Sequence, residues 1–216
     1  MNQIKRQQSG FTLIEIAIVL VIIGLLLGGV LKGQEMVENS RIKSVVADMR
    51  GVSTAFTGYY DRYRALPGDE LAATVAARGW GALGGGNADG VLTLAVADTF
   101  LNAGAEHAAM WQHLRGAGFL SGSPLTVGVA GLPRSGTGGL IGAATTPFGL
   151  QGPATCVATL THKQALGVDI IIDGAAGNNV GDARGAIVAV PAAAVPAAAV
   201  YNESLATTWT MCRRLQ

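Results

Sequence analysis

The sequence predicts an α+β fold: one long N-terminal helix followed by a head of short strands set among long glycine-rich loops. Three observations predict it. An apolar run from Phe11 to Leu31 holds 21 residues with Glu15 as its only charge. After it, a polar stretch keeps an apolar beat of three and four as far as Tyr63, with no proline before Pro67. The remainder alternates short apolar segments with glycine, of which the chain has 31, roughly double the ordinary share.

The first element is the leader, residues 1–10, which carries Lys5 and Arg6 and no acid. The second is the apolar segment, residues 11–31. As a helix rising ~1.5 Å per residue it measures ~31 Å, about the thickness of a bilayer's hydrocarbon core. The basic leader predicts a cytoplasmic N-terminus and an exported body. A secretory signal peptide has a shorter apolar region, usually ~7–15 residues, and ends at a small-x-small cleavage site; Gly28-Gly29-Val30-Leu31-Lys32 is a poor one. A plain membrane anchor explains the length and the flanking charge but not Glu15, because a carboxylate at the centre of a membrane helix costs roughly 2.5–3.5 kcal/mol by insertion scales. An acid there calls for a partner. If the chain is cut after Gly10, Phe11 gains an α-amine one helical turn from Glu15, cationic at neutral pH because such amines titrate near ~8. At ~4 Å and an effective dielectric of ~20 the pair gains roughly 4 kcal/mol before desolvation. Between neighbouring chains, the same pair would set axial register.

Gly10-Phe11-Thr12-Leu13-Ile14-Glu15, with the basic leader before it and the apolar span after it, resembles the class III signal of type IV prepilins and type II secretion pseudopilins. The resemblance covers about the first 35 residues. It implies cleavage after Gly10 by a membrane-bound prepilin peptidase, N-methylation of Phe11 by the same enzyme, and a role for Glu15 in assembly. It further implies a pilin-like head with a small antiparallel sheet, and as partners other pilin-like subunits, an assembly ATPase and a polytopic platform protein. Many family members carry a proline within the span; here Gly24, Gly28 and Gly29 occupy that region, where small residues let helices pack closely.

The third element, residues 32–64, continues the helix. Ile42, Val45, Met49, Val52, Phe56, Tyr59 and Tyr63 form its apolar stripe. Leu66-Pro67-Gly68-Asp69 ends it with turn chemistry, and the passage from Tyr60 to Asp69 resembles the helix exit of a pilin-like subgroup. The head, residues 65–216, opens with a loop at 84–90. There Asn87 and Asp89, with Asp69, are candidate oxygen ligands for calcium, but calcium wants six to eight oxygens, and an Asx-type turn is the favoured reading. A second helix is expected over 105–117, with Met110, Trp111 and Leu114 apolar. His107 and His113 are six apart and on different faces, so with Glu106 they read as surface residues. Strands are expected at Val91–Val96, Leu125–Val129, Cys156–Leu160, Val168–Ile172, Ala186–Val190 and Thr208–Cys212. Asp169 and Asp173 read as a solvated strand edge, since no base, nucleophile or cofactor loop accompanies them. Pro191-Ala192-Ala193-Ala194-Val195 is repeated at once as Pro196–Val200, a low-complexity pair expected to form a loop.

Cys156 and Cys212 are the two cysteines. Export favours a disulfide between them, and the resemblance points the same way; two separated free thiols are the alternative. Net charge is +1, so no nucleic-acid footprint is indicated. Charged residues are 13% of the chain, against about 25% ordinarily, which suits a subunit that buries surface in neighbours. The leading function is a non-enzymatic structural subunit of a pilus or pseudopilus, without cofactor, in the inner membrane with a periplasmic head. A minor tip subunit or adhesin is the alternative; it needs an exposed aromatic and basic cluster that does not stand out in the sequence. An exported, membrane-anchored enzyme ranks third, because no nucleophile–base set or metal cluster is evident.

Overall fold

The computed structural model describes residues 10, 12–174, 177, 181–191, 193 and 208–215. The chain divides into two compact units, residues 1–40 and 41–216. Helix α1 runs from Leu13 to Tyr63, within a residue or two of the expected span. In the first unit every described residue from 12 to 37 is exposed. The expected stripe in the second unit is realised: Ile42, Val45, Met49, Val52, Phe56 and Tyr59 are buried, and Tyr63 packs against the same core.

Among the described residues the remaining α-helices are α2 (Ala72–Val75), α3 (Ala105–Gly116) and α4 (His162–Asp173). Among the same residues four strands, β1 (Ile141–Thr145), β2 (Pro153–Leu160), β3 (Ala183–Ala186) and β4 (Trp209–Arg214), form an antiparallel sheet in the order β1-β2-β4-β3. The last strand is thus an inner one. Its register sets Cys156 opposite Cys212, and the two form a disulfide with Cα atoms 4.0 Å apart. Ile141, Ala143, Val157 and Met211 of the sheet share one core with the α1 stripe and with Met110, Trp111 and Leu114 of α3.

Four expected strands are corrected. Val168–Ile172 lies within α4. Its β-branched residues favour a strand, but Thr161 caps the helix, accepting the Gln164 N–H while the Gln164 side chain accepts the Thr161 N–H. Gly174 closes it in the left-handed region. Burial of Gln164, Ala165, Val168 and Asp169 follows a helical stripe. Gly167, which weakens the helical signal, is a packing requirement: a Cβ there would stand 2.6 Å from Ile42 Cδ1. Leu125–Val129 runs into a 3-10 turn at Gly128–Gly131, since Gly128 takes a φ of 63°. Val91–Val96 joins no sheet ladder. It is held by the Thr145 N–H to the Leu94 carbonyl (2.8 Å) and the Leu94 N–H to Thr145 Oγ1 (2.9 Å). The strand expected at Ala186–Val190 is instead β3, which ends at Ala186. Cys156–Leu160 falls within β2, and the expected Thr208–Cys212 overlaps β4 from Trp209 on. The tandem repeat lies outside the described residues, apart from Pro191 and Ala193.

Candidate processing and assembly site

A helix start leaves its first N–H groups without intrahelical partners, so they need acceptors from elsewhere. α1 answers with a capping box. Thr12 precedes the helix and Glu15 sits three residues on. Glu15 Oε2 accepts the Thr12 N–H at 2.8 Å and the Thr12 hydroxyl at 2.6 Å, and the Glu15 N–H donates to Thr12 Oγ1 at 3.3 Å. Glu15 therefore has a partner in its own chain that the sequence reading missed. The signal was there, because Thr-x-x-Glu before an apolar run is a capping-box pattern. Gly10 is exposed; Phe11, and with it the expected amine partner of Glu15, lies outside the described residues.

Behind this cap, α1 is apolar on all its faces. Leu13, Ile14, Leu20, Val21, Leu25, Leu26 and Leu31 are more than 60% exposed, and the most apolar 18-residue window has a mean hydropathy of 2.8. Such a helix is stable only in lipid or packed against other apolar helices. By length and composition it can cross a membrane. A Cβ added at Gly24, Gly28 or Gly29 would meet open space, so nothing within the described chain calls for glycine there.

At the other end of α1 the structure gathers polar groups that the sequence scatters. Tyr59 donates to Glu70 Oε1 at 2.5 Å, and Arg78 binds both oxygens of Glu70 at 2.7 and 2.5 Å. Burial alone would raise the Glu70 pKa, but the hydrogen bonds from Arg78 and Tyr59 overcome it and hold the carboxyl below its ordinary value. Burial and then Glu70 push the Tyr59 hydroxyl up. Beside them the structure assembles an aromatic and basic cluster that the sequence did not disclose. The Arg78 guanidinium lies 4.4 Å from the Tyr63 ring centre, Arg62 lies 5.3 Å from it, and Trp80 meets Tyr63 edge-on.

The placement of His107 and His113 at the surface is corrected: they are 3% and 0% exposed. His113 bridges two loops. Its Nδ1 accepts the Gly68 N–H at 3.0 Å, and its Nε2 donates to the Gly84 carbonyl at 2.8 Å, which requires the neutral Nε2–H tautomer. Gln112 accepts the Gly84 N–H at 2.9 Å. Buried loop backbone must be hydrogen-bonded, and without a strand beside it, α3 supplies the partners. Burial pushes the pKa of both histidines down; the Gly84 carbonyl and Glu70 partly oppose this at His113, and Asp98 does so at His107.

Asn87, Asp89 and Asp69 come together, as partners for backbone. Asn87 Oδ1 accepts the Asp89 N–H (3.1 Å), Asp89 Oδ1 accepts the Val91 N–H (2.8 Å), and Asp69 accepts the N–H groups of Asp89 (3.2 Å) and Gly90 (3.0 Å). This is the Asx turn. Among the described residues no group of three His, Cys, Asp or Glu side chains is arranged to hold a metal. Asp169 and Asp173 are corrected as well. Asp169 is fully buried and accepts the Gly177 N–H, while Asp173 accepts those of Asp182 and Ala183. Both carboxylates thus serve backbone N–H groups of Gly177, Asp182 and Ala183.

With this geometry in view, the comparisons are specific at one end of the chain. The family model described as the prokaryotic N-terminal methylation motif matches residues 5–31, the signature of the type IV prepilin and pseudopilin family. No curated protein and no solved structure matches the chain significantly. The long helix, the four-stranded antiparallel sheet and the motif together define an α+β, pilin-like architecture.

Proposed function

We propose that the chain is a structural subunit of a type IV pilus or type II secretion pseudopilus. A prepilin peptidase cuts it after Gly10 and methylates Phe11. The segment 11–31 anchors it in the inner membrane with the leader cytoplasmic and the head periplasmic, and the amphipathic continuation 32–64 leads into the head, 65–216. The subunit then polymerises through α1, with Glu15 setting register between neighbours. The observation that carries this reading is the junction itself: the methylation motif at residues 5–31 coincides with a capped helix whose first 19 residues, Leu13–Leu31, lie exposed with Glu15 as their only charge. A helix of that kind has no use in water and a clear one in lipid and then in a helical stack. Its action is association, and no catalytic role is assigned to any residue. An assembly ATPase and a platform protein are the machinery this reading requires.

Intact-protein mass spectrometry of the membrane-extracted protein tests it. The expected species begins at methylated Phe11; a mature chain that keeps Met1, or is cut near residue 30, overturns the reading. Glu15→Leu should be processed normally yet fail to enter filaments, and normal incorporation would remove the register role.

A second reading, a minor tip subunit with a binding surface, draws on the cluster of Tyr63, Trp80, Arg62 and Arg78 near the exposed Tyr60. Quantitative mass spectrometry of purified filaments separates the two, because a tip subunit is present at a few copies per filament and a major subunit makes up its bulk.

A further inference from the structure

A polar cavity of about 260 Å³ opens in the second unit, lined by Arg41, Gly136, Thr137, Thr159, Thr161 and Gln164. It forms where the β2–β4 register slips between Val157 and Leu160, and Thr159 there takes a left-handed backbone with φ 58°. The cavity is at the start of α4, whose first turn contains no acid. The positive end of that helix's dipole is therefore left without a compensating carboxylate of its own.

The lining is rich in donors. Gln164 is only 5% exposed. Its Oε1 is fixed by the capping box, accepting the Thr161 N–H at 3.1 Å; its Nε2 amide, which carries two protons, has no hydrogen bond among the described residues. The Thr161 hydroxyl accepts the Gln164 N–H at 3.2 Å and keeps its own proton to donate. Thr137 shares a bond with Ser135 at 2.8 Å. Arg41 adds a guanidinium, whose five donors let it serve more than one acceptor. Among the described residues no lining residue is a carboxylate. The Asp48 carboxylate touches one of them, accepting the Gly136 N–H at 2.8 Å, and is engaged there. The Gln164 side chain, held by the cap, lines the cavity and leaves its amide donors open to water or a ligand there.

We infer that this cavity is a binding site for a small oxyanion: phosphate, sulfate or a carboxylate. Its volume falls below the ~300–1,000 Å³ of pockets that take drug-sized ligands, which suits a compact anion. The Gln164 amide, the Thr161 hydroxyl, the start of α4 and Arg41 supply donors and positive charge from different directions, the pattern by which proteins hold oxyanions. The site is independent of the N-terminal junction, and its test stands or falls apart from the filament reading. The anion arrives either free or as the acidic side chain of a neighbouring chain, and both present the same chemistry.

The experiment is a titration of the isotope-labelled full chain in detergent micelles, followed by nuclear magnetic resonance. Inorganic phosphate probes for a free anion and N-acetylglutamate for an acidic side chain. The expected result is a saturable shift of the Gln164 side-chain amide and of the first backbone amides of α4. The decisive variant is Gln164→Glu. It preserves the capping box, since Glu accepts the same Thr161 N–H, but it replaces the inward donors with a carboxylate oxygen. Binding should weaken by roughly tenfold or more, the scale of losing one charge-assisted hydrogen bond. Arg41→Gln, on the exposed rim, should weaken it as well. Saturation by phosphate alone assigns the site to a free anion, and saturation by both probes extends it to a neighbour's carboxylate. No saturable shift with either probe overturns the proposal, and so does equal affinity in Gln164→Glu, which would mark an adventitious ion only.

Discussion

Thr12 and Glu15 show how one pair of side chains caps a helix start. The carboxylate takes two donors from Thr12, and the Thr12 hydroxyl takes the Glu15 N–H. Thr12→Val keeps the shape and removes the cap. Losing such a cap costs about 1 kcal/mol, so the Glu15 amide should lose about fivefold in hydrogen-exchange protection in micelles while the rest of α1 is unaffected. His113 is the second informative residue. It is neutral in the fold, and its pKa is lowered from 6.5 chiefly by burial. The unfolded chain therefore binds the proton more readily. Stability contributed by the neutral form is complete above about pH 6.5 and is lost progressively as pH falls below that value. Tyr59, Glu70 and Arg78 face it, and the Glu70 charge reduces the effect without reversing it. The urea midpoint should thus be lower near pH 5 than near pH 7.5. His113→Gln should lower stability at neutral pH, because the Gly68 bond is lost, and should flatten the dependence on pH.

Among elements, the exit of α1 is the most constrained. Gly68 has φ 99°, and a Cβ on it would stand 2.7 Å from the Glu106 carbonyl and 3.0 Å from Met110. Gly68→Ala combines left-handed strain with overpacking, so a loss of about 3 kcal/mol is expected, read as a drop in the melting temperature of the protein in micelles. α3 and α4 contrast instructively. The first was expected and the second was not, yet both carry polar residues that hold loops: Gln112 and His113 bind Gly84, and Asp169 and Asp173 bind the segment after α4. A residue type says little about burial when its hydrogen-bond partner is distant in sequence. The α4 boundary was legible in Thr161-x-x-Gln164 and Gly174, but the Val168–Ile172 run competed with it locally. Only packing of Gly167 on Ile42 and burial of Val168 decide for the helix.

For the whole molecule, the disulfide joins β2 to the final strand across a sequence separation of 56 residues. A closed loop of that size removes about 4 kcal/mol of unfolded-state freedom in the chain-entropy model, and measured values are often less. Replacing both cysteines with serine should lower the denaturation midpoint by the equivalent of about 2–4 kcal/mol; an unchanged midpoint would show that β4 is held by its pairing alone. The first forty residues were legible because their information is local. An apolar run, a capping pattern and a methylation motif act through neighbours along one helix, so the sequence by itself determined the membrane-length segment, the pilin-like signature and the stripe from Ile42 to Tyr63. The head was decided by tertiary structure. β1, Ile-Gly-Ala-Ala-Thr, lacks strong strand formers. It becomes a strand because it pairs with β2 along its whole length and Leu94 and Pro133 accept N–H groups from its ends, while Gly142 leaves room for Thr99. The burial of His107, the bridge of His113 and the cavity at the start of α4 likewise arise from groups far apart in the chain. Hydrogen-bond satisfaction and burial belong to the folded whole, and no local pattern encodes which distant backbone a side chain will meet.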